Sequence, residues 1–321
     1  MGPLFFLLYV NDMVRACVGL EVVLFADDTT VFAEGRNSKE LADRAKAGLE
    51  ELSRWFRCNK LTLNLKKTEY ILFKRQGSKD TTALDIKIGC ESIKRVGGAK
   101  FLGVWVDEEL KWTAHIERVR TKASQLLGVI GRAKDALGGQ AVRTLYNSLI
   151  LPHLQYCLIV WGDFVGDRNK TLASSLATGQ NKLLRMVTGR SRKCHTDPLF
   201  AECNLLKIND VYRQQLRVHA WQFWNGWLPE NQAAMFQRVE DTHGYSTRAA
   251  RNEISRTRDT NSIAYRVPKE WASLPDSIKE ARALTAFKNQ SKRQMIRQYE
   301  NFDCVQAGCR ICQGEREGEE E

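Results

Sequence analysis

The chain has 321 residues, 43% of them hydrophobic, and a formal net charge of +11. That is enough chain and apolar material for a real core in two or three domains. No run approaches 18 apolar residues, which excludes a membrane-spanning helix, and nine cysteines, an odd number without framework spacing, argue against a disulfide scaffold and for a reducing compartment. The charge is uneven. Residues 1–110 carry 17 Lys and Arg against 16 Asp and Glu, residues 111–314 carry 31 against 17, and the closing "EREGEEE" is acidic. A basic middle and C-terminal region suggests a polyanionic partner, nucleic acid first, over a merely soluble basic surface.

"GPLFFLLYV" (Gly2–Val10) imitates a signal-peptide core. It lacks a basic leader and a small-residue cleavage site, so no signal peptide is expected and the protein is read as intracellular, in cytoplasm and nucleus. Leu4–Val14 is apolar on nearly every side, which predicts a buried helix. Val22–Phe25 and Thr29–Phe32 are two β-rich runs separated by Ala26, Asp27 and Asp28, which predicts a hairpin with two carboxylates at its tip. Such a pair is either a solvated turn or a divalent-metal site. Mg²⁺ is a hard ion usually held by one or two carboxylates plus substrate phosphates.

Asn37–Asn59 predicts an amphipathic helix. Asn37 is the cap, Glu40 stands three residues on, and Leu41, Ala45, Leu49, Leu52 and Trp55 or Phe56 form the buried stripe. Lys60–Phe73 reads as a loop and strand, with Lys66, Lys67 and Thr68 clustered before "YILF"; Leu84–Gly89 alternates as a strand does. Lys100–Asp107 reads as one further strand with Gly103 at its centre, either a close backbone approach or a bulge. From Trp112 onward the spacing turns helical, with helices predicted over Trp112–Leu137, Ala141–Trp161, Leu172–Val187 and Val211–Trp224. Thr242–Tyr265 is polar, arginine-rich and expected to be exposed and poorly ordered. Cys304, Cys309 and Cys312 form a C-x4-C-x2-C array. A structural zinc site needs four ligands, so the fourth would come from Cys194, His195 or Cys203; unliganded thiols are the alternative.

The order of these pieces carries a resemblance. "GPLFFLLYVND", "LFADDTTVF", "LSRWFRCNKLTLNLKKTEYILF" and "KFLGVWVDEELKWTAHI" follow one another as in the reverse transcriptases of non-LTR (LINE-type, jockey-like) retrotransposons, which the chain resembles. The specific motifs cover residues 1–135, and a weaker likeness runs on through "LQYCLIVWG", "QNKLLRMVTG" and "YRVPKEWASLP". The resemblance implies an α+β fold. Residues 1–110 would be a partial palm domain, an antiparallel sheet with helices; residues 111–195 a helical thumb-like domain; residues 196–321 a helical, basic C-terminal region with a cysteine-containing tail, as jockey-like proteins also have.

The resemblance also implies roles. Asp27 and Asp28 would be the catalytic and Mg²⁺-binding (or Mn²⁺-binding) carboxylates, with Asp27 the principal ligand. Lys66 and Lys67 would stand beside the incoming triphosphate, and Phe101, Leu102, Gly103 and Val104 would form the primer-grip strand. The partners implied are an RNA template, a DNA primer and deoxynucleoside triphosphates, with no membrane. In this family the first metal aspartate lies upstream of the "GPL" motif. The expectation is therefore a polymerase fragment truncated within the palm and inactive by itself, or a non-catalytic nucleic-acid-binding remnant.

Overall fold

A computed structural model describes residues 1–300 apart from 18, 74–83, 134–135, 163–169, 191–193, 239–253 and 255–261. The arginine-rich tract and the Cys304, Cys309 and Cys312 array therefore fall largely or wholly outside the described residues. The architecture is α+β, mainly helical with small two-stranded sheets, and the chain divides into two compact units, Met1–Leu110 and Lys111–Glu321. Among the described residues no helix is long and apolar enough to cross a membrane.

The first unit opens with α1 (Gly2–Val10) and α2 (Met13–Ala16). The helix is where the apolar run predicts it, but its burial is not. Leu4, Phe5, Leu7 and Leu8 are exposed, Leu8 at 66%, and only Val10 is buried. A helix without a polar face has no preferred side to turn inward, and α1 is tied to the unit at its C-terminal end alone. There Val10 joins the cluster of Met13, Cys17, Val22, Leu52 and Trp55, and the Tyr9 hydroxyl donates to the Asn59 carbonyl at 2.5 Å.

The spine of the unit is α3 (Ser38–Cys58). Asn37 caps it by accepting a hydrogen bond from the Glu40 amide at 2.8 Å, Glu40 accepts from the Arg36 amide at 3.1 Å, and Arg44 pairs with Glu40 at 2.8 Å. Ala45, Leu52 and Trp55 face inward as their spacing requires. One stretch of this stripe, Leu52 and Trp55, holds the hairpin of β1 (Glu21–Phe25) and β2 (Asp28–Phe32) through Val22, Leu24 and Val31. The other, Leu41 and Ala45, holds Tyr70, Leu72, Leu84 and Ile86. Leu84, Ile86 and Ile88 are buried while Asp85 and Lys87 are exposed, the period-two alternation of a strand. Only β4 (Lys87–Ile88) is paired there, with β5 (Glu91–Ser92), while β3 (Glu69–Tyr70) pairs in parallel with β6 (Lys94–Arg95).

The segment read as one strand over Lys100–Asp107 is a hairpin instead. It consists of β7 (Gly98–Phe101) and β8 (Val104–Asp107), with Phe101 opposite Val104. Leu102 and Gly103 form the loop at φ +44° and +88°, the left-handed pair that a two-residue hairpin of native twist requires. Leucine at the first position hid the turn, because that position usually holds Asn, Asp or Gly. The glycine thus has a local reason to be there, since a side chain at φ +88° would be strained.

The second unit is helical. Its elements are α4 (Thr113–Ala133), α5 (Gly139–Leu145), a π-helical turn (Tyr146–Ile150), α6 (Leu151–Gln155), α7 (Leu158–Trp161), α8 (Lys170–Thr188), α9 (Asp197–Glu202), α10 (Ile208–Trp224), α11 (Glu230–Ala233), α12 (Ile263–Ala272), α13 (Asp276–Lys279) and α14 (Leu284–Glu300). The run Ala141–Trp161 is interrupted by Pro152, which lacks an amide proton and crowds the preceding turn, just where the helix widens into its π segment. At Cys157, φ +50°, the chain then breaks. Helix α10 is central, packing on α7, α8, α12 and α14, and α14 packs on α9, so the helices on either side of residue 195 share one core. Trp221, Trp271 and Phe287 fill the core between α10, α12 and α14.

Tyr146 is a buried tie in this unit. Gln180 donates to its hydroxyl at 2.8 Å and uses its carbonyl oxygen to accept the Ile208 amide at 2.8 Å. Burial pushes the Tyr146 phenol up from 10.0 to about 12, against the smaller downward pull of Gln180. A raised folded value means that this contribution is fully present below pH 10 and is lost as pH rises from 10 toward 12. Two units correspond to roughly 3 kcal/mol. Urea midpoints of this unit should therefore fall steeply across that window, and Tyr146→Phe should reduce the fall while lowering stability only modestly at pH 8, the remainder coming from Tyr299, whose phenol is also pushed up by burial and by Asp210.

Candidate active site

The two carboxylates sit where β1 turns into β2. Phe25 pairs with Asp28, leaving Ala26 and Asp27 as a two-residue loop. Ala26 has φ +52° and Asp27 does not share the left-handed region, the pattern of a type II′ turn. The register fixes the faces. Val22 lies opposite Val31 and Leu24 opposite Thr29, and this face rests on α3. Val23 lies opposite Thr30 and Phe25 opposite Asp28, so Asp28 stands on the other face, beside an aromatic ring 61% exposed to solvent. Asp27 and Asp28 are both exposed. The result is an open platform carrying two acids at its rim, anchored from behind by Leu52 and Trp55.

Lys66 and Lys67 are exposed on a tight turn after α3. The turn is closed by the Lys67 amide donating to the Asn64 carbonyl at 3.1 Å and the Thr68 hydroxyl donating to the same oxygen at 3.0 Å. Leu61, at the start of this segment, packs on the cluster that holds the Asp-Asp hairpin, so hairpin and lysine turn share one support. Phe101 and Leu102 are half-buried, Gly103 is exposed and Val104 is buried at the β7–β8 turn. That hairpin joins the rest through β6. The Val96 amide donates to the Tyr70 carbonyl at 2.9 Å, and Arg95 pairs with Glu108 at 2.6 Å across the base of the turn.

Among the described residues no three His, Cys, Asp or Glu side chains converge as the ligands of an enclosed metal site would. Asp27 and Asp28 suit a different kind of site, an open one. Two carboxylates on a braced turn leave coordination positions for water and for phosphate oxygens, which is how Mg²⁺ is usually held. Cys194, His195 and Cys203, the residues considered as a fourth zinc ligand, belong to the second unit, where Cys194 and Cys203 are buried and not disulfide-bonded, and the Cys194 thiol donates to the His195 carbonyl at 3.3 Å.

Residues 1–106 match the family described as reverse transcriptase (RNA-dependent DNA polymerase). The matched span contains the Asp27–Asp28 hairpin, the lysine turn and the β7–β8 turn together. These residues are a reverse-transcriptase region of the LINE type. The chain is similar to a probable RNA-directed DNA polymerase from transposon X-element of Drosophila melanogaster, 27% identical over 237 residues. It is also similar to Pol polyproteins of type-1 retrotransposable element R1, 27% identical over 165 residues in Bradysia coprophila and 26% over 168 residues in Nasonia vitripennis. The alignments take in 68%, 50% and 50% of this chain, and the chain spans 25%, 16% and 41% of those relatives. No solved structure matches the chain. Reverse transcriptases as a family use divalent metal ions, and the exposed carboxylates of this reverse-transcriptase region are of the type that binds them.

Sequence reasoning did not find the buried polar centre of the second unit. Glu270 on α12 accepts from Arg213 at 3.1 Å and from Arg217 at 3.2 Å, both on α10. Arg217 also donates to Ser291 and Gln294 on α14, and Arg213 to Asp210, which accepts the Tyr299 hydroxyl. The signal was the placement of Asp210, Arg213 and Arg217 at i, i+3 and i+7, on one side of helix α10.

Proposed function

We propose that this chain contributes the palm hairpin and a thumb-like helical region to an RNA-directed DNA polymerase of a non-LTR retrotransposon. Asp27 and Asp28 would be its metal-binding carboxylates. The observation that carries this reading is the tip itself: two adjacent exposed acids on a two-residue turn, braced by α3, inside the span that matches reverse transcriptases. Mg²⁺ or Mn²⁺ bound there would neutralise charge developing on the transferring phosphoryl group and help hold the attacking and leaving oxygens in line. The protein's part is rigidity and placement. Asp28 on the first rung and Asp27 in the loop it closes are carried by a paired hairpin, so the backbone that presents the carboxylates needs no ordering at the moment of reaction.

Lys66 and Lys67 would meet the triphosphate. The exposed face of Val23, Phe25, Thr30 and Phe32 would lie under the nucleic acid, and the β7–β8 turn at Phe101–Val104 would bear on the primer. The helices from residue 111 to 195 would act as the thumb, and the basic remainder would bind RNA template and DNA primer through sequence-independent phosphate contacts.

Template-directed incorporation of deoxynucleotides by a polymerase that carries this segment tests the reading. It should require a divalent ion and depend on Asp27. Incorporation that persists in both Asp27→Ala and Asp28→Ala refutes it and leaves a nucleic-acid-binding role, which the basic balance of residues 111–314 would favour.

A further inference from the structure

The second unit contains a groove of about 600 Å³, lined by residues of α5, the π-helical turn, α6, the segment between α9 and α10, α10 and α14. Its polar lining is one-sided in charge. Arg143 contributes a guanidinium from α5, and Lys288 and Lys292, one turn apart on α14, contribute two ammonium groups; among the described residues no carboxylate lines it. Among the described residues neither lysine side chain has a hydrogen bond or ion pair. Arg143 is already oriented, donating to the Cys203 carbonyl at 3.4 Å and to Gln140 at 2.8 Å.

Lys292 is held below the usual lysine range by burial and, second, by the positive charge of Arg143. Lys288 is exposed and Lys292 half-buried, so the charge that the crevice disfavours is chiefly that of Lys292, and an anion entering beside it would relieve that cost. Between the cations the lining is of two other kinds. The amides of Asn147, Gln155 and Gln214 can donate and accept, and Leu151, Leu206 and Val218 offer flat apolar contact.

We propose that this groove binds single-stranded nucleic acid, seating a phosphodiester on Arg143, Lys288 and Lys292 and a base against the amide and apolar lining. The volume is in the range of pockets for small ligands, about 300–1,000 Å³, room for one or two nucleotides. A duplex carries its phosphates on a convex cylinder with the bases stacked inside, and a crevice of this size meets it only at its edge. A single strand can lay both backbone and base into it, as strand-binding grooves that combine cations with base contacts do. The inference is independent of the metal carboxylates, which belong to the other unit.

The test is fluorescence anisotropy of a labelled single strand about a dozen nucleotides long, titrated with the full chain in EDTA so that no divalent ion contributes. The double variant Lys288→Gln/Lys292→Met is compared with Lys122→Gln/Arg132→Gln, which removes the same charge from exposed positions on α4. The groove variant should lose about tenfold or more in affinity and reduce the dependence of log affinity on log salt by about 0.7 for each phosphate that the groove no longer neutralises, about 0.7–1.4 for one or two nucleotides. The α4 variant should lose less than about threefold. Thermal midpoints should stay level or rise in the groove variant, because it relieves repulsion; a structural role for the lysines would lower them. A duplex of equal length should bind more weakly and respond alike to both variants. Millimolar inorganic phosphate should leave the strand bound; displacement by it would mark a site for free phosphate. Equal losses in the two variants, or a duplex as sensitive as the single strand, would overturn the proposal.

Discussion

Replacing Asp27 with alanine in a polymerase that carries this segment is expected to lower nucleotide incorporation by at least about 100-fold, the scale on which removing a single charge-stabilising group slows an enzyme. The protein should lose little stability. Asp27 is exposed in a turn, with no buried contact to forfeit, so its thermal midpoint should move by no more than a surface substitution moves it. Asp27→Asn separates charge from shape. The amide preserves the volume and the turn, but it is a neutral and weaker ligand for a hard cation, so it should also be severely impaired. Asp28→Ala should follow the same pattern. Its side chain stands on the open face opposite Phe25's position in the ladder, where no packing is lost. Single-turnover rates measured beside thermal midpoints check the pair of expectations. Loss of activity in proportion to loss of fold would assign the aspartates a structural role.

The second large effect lies far from that chemistry. Glu270→Ala should destabilise the helical unit by about 3–5 kcal/mol, the usual result of removing one partner from a buried ion pair. Arg217 is the reason. Its side chain is 3% exposed, and burial alone would depress its charge, while Glu270 is the main group supporting it. With the carboxylate gone, Arg213 can still turn to Asp210, but Arg217 keeps hydrogen bonds only to the neutral Ser291 and Gln294, with the weaker pull of Asp210 set against the like charge of Arg213. A loss of that size takes a large part of the stability of an ordinary domain, about 5–15 kcal/mol. The double variant Arg217→Leu/Glu270→Leu should recover much of it, because a packed apolar pair does not bury an unpaired charge. Urea midpoints for the two singles and the double, read as a cycle, check this. Additive losses would mean that the pair is not coupled.

These expectations differ in how far the sequence alone could reach them. The Asp-Asp hairpin was legible because both its strands and its turn are local, and the two β-rich runs leave room for nothing else between Val22 and Phe32. Helix α3 was legible for the same reason, its cap and stripe lying within one segment from Asn37 to Asn59. The β7–β8 hairpin was not. Its loop puts leucine where a left-handed backbone is needed, and only pairing across the turn compensates for the strain at Leu102. The exposure of α1 was missed because hydrophobicity specifies a preference for cover and not the surface that provides it. The tie of Arg213 and Arg217 to Glu270 spans more than fifty residues, and the groove cations come from α5 and α14, over 140 residues apart. No local pattern announces such meetings. The helices that supply several of these partners, α12 and α14, also escaped notice, the former because Pro268 lies inside it.

On the proposed reading the tip of the β1–β2 hairpin holds a divalent ion. Titrating Mn²⁺ into the isotope-labelled chain and following the backbone amides tests this directly, because the paramagnetic ion broadens resonances near where it binds. The account predicts that the amides of Phe25–Thr29 broaden first, that Mg²⁺ in excess restores them, and that Asp27→Asn/Asp28→Asn abolishes the effect. Broadening that begins elsewhere, or that survives the double substitution at the hairpin, would contradict it.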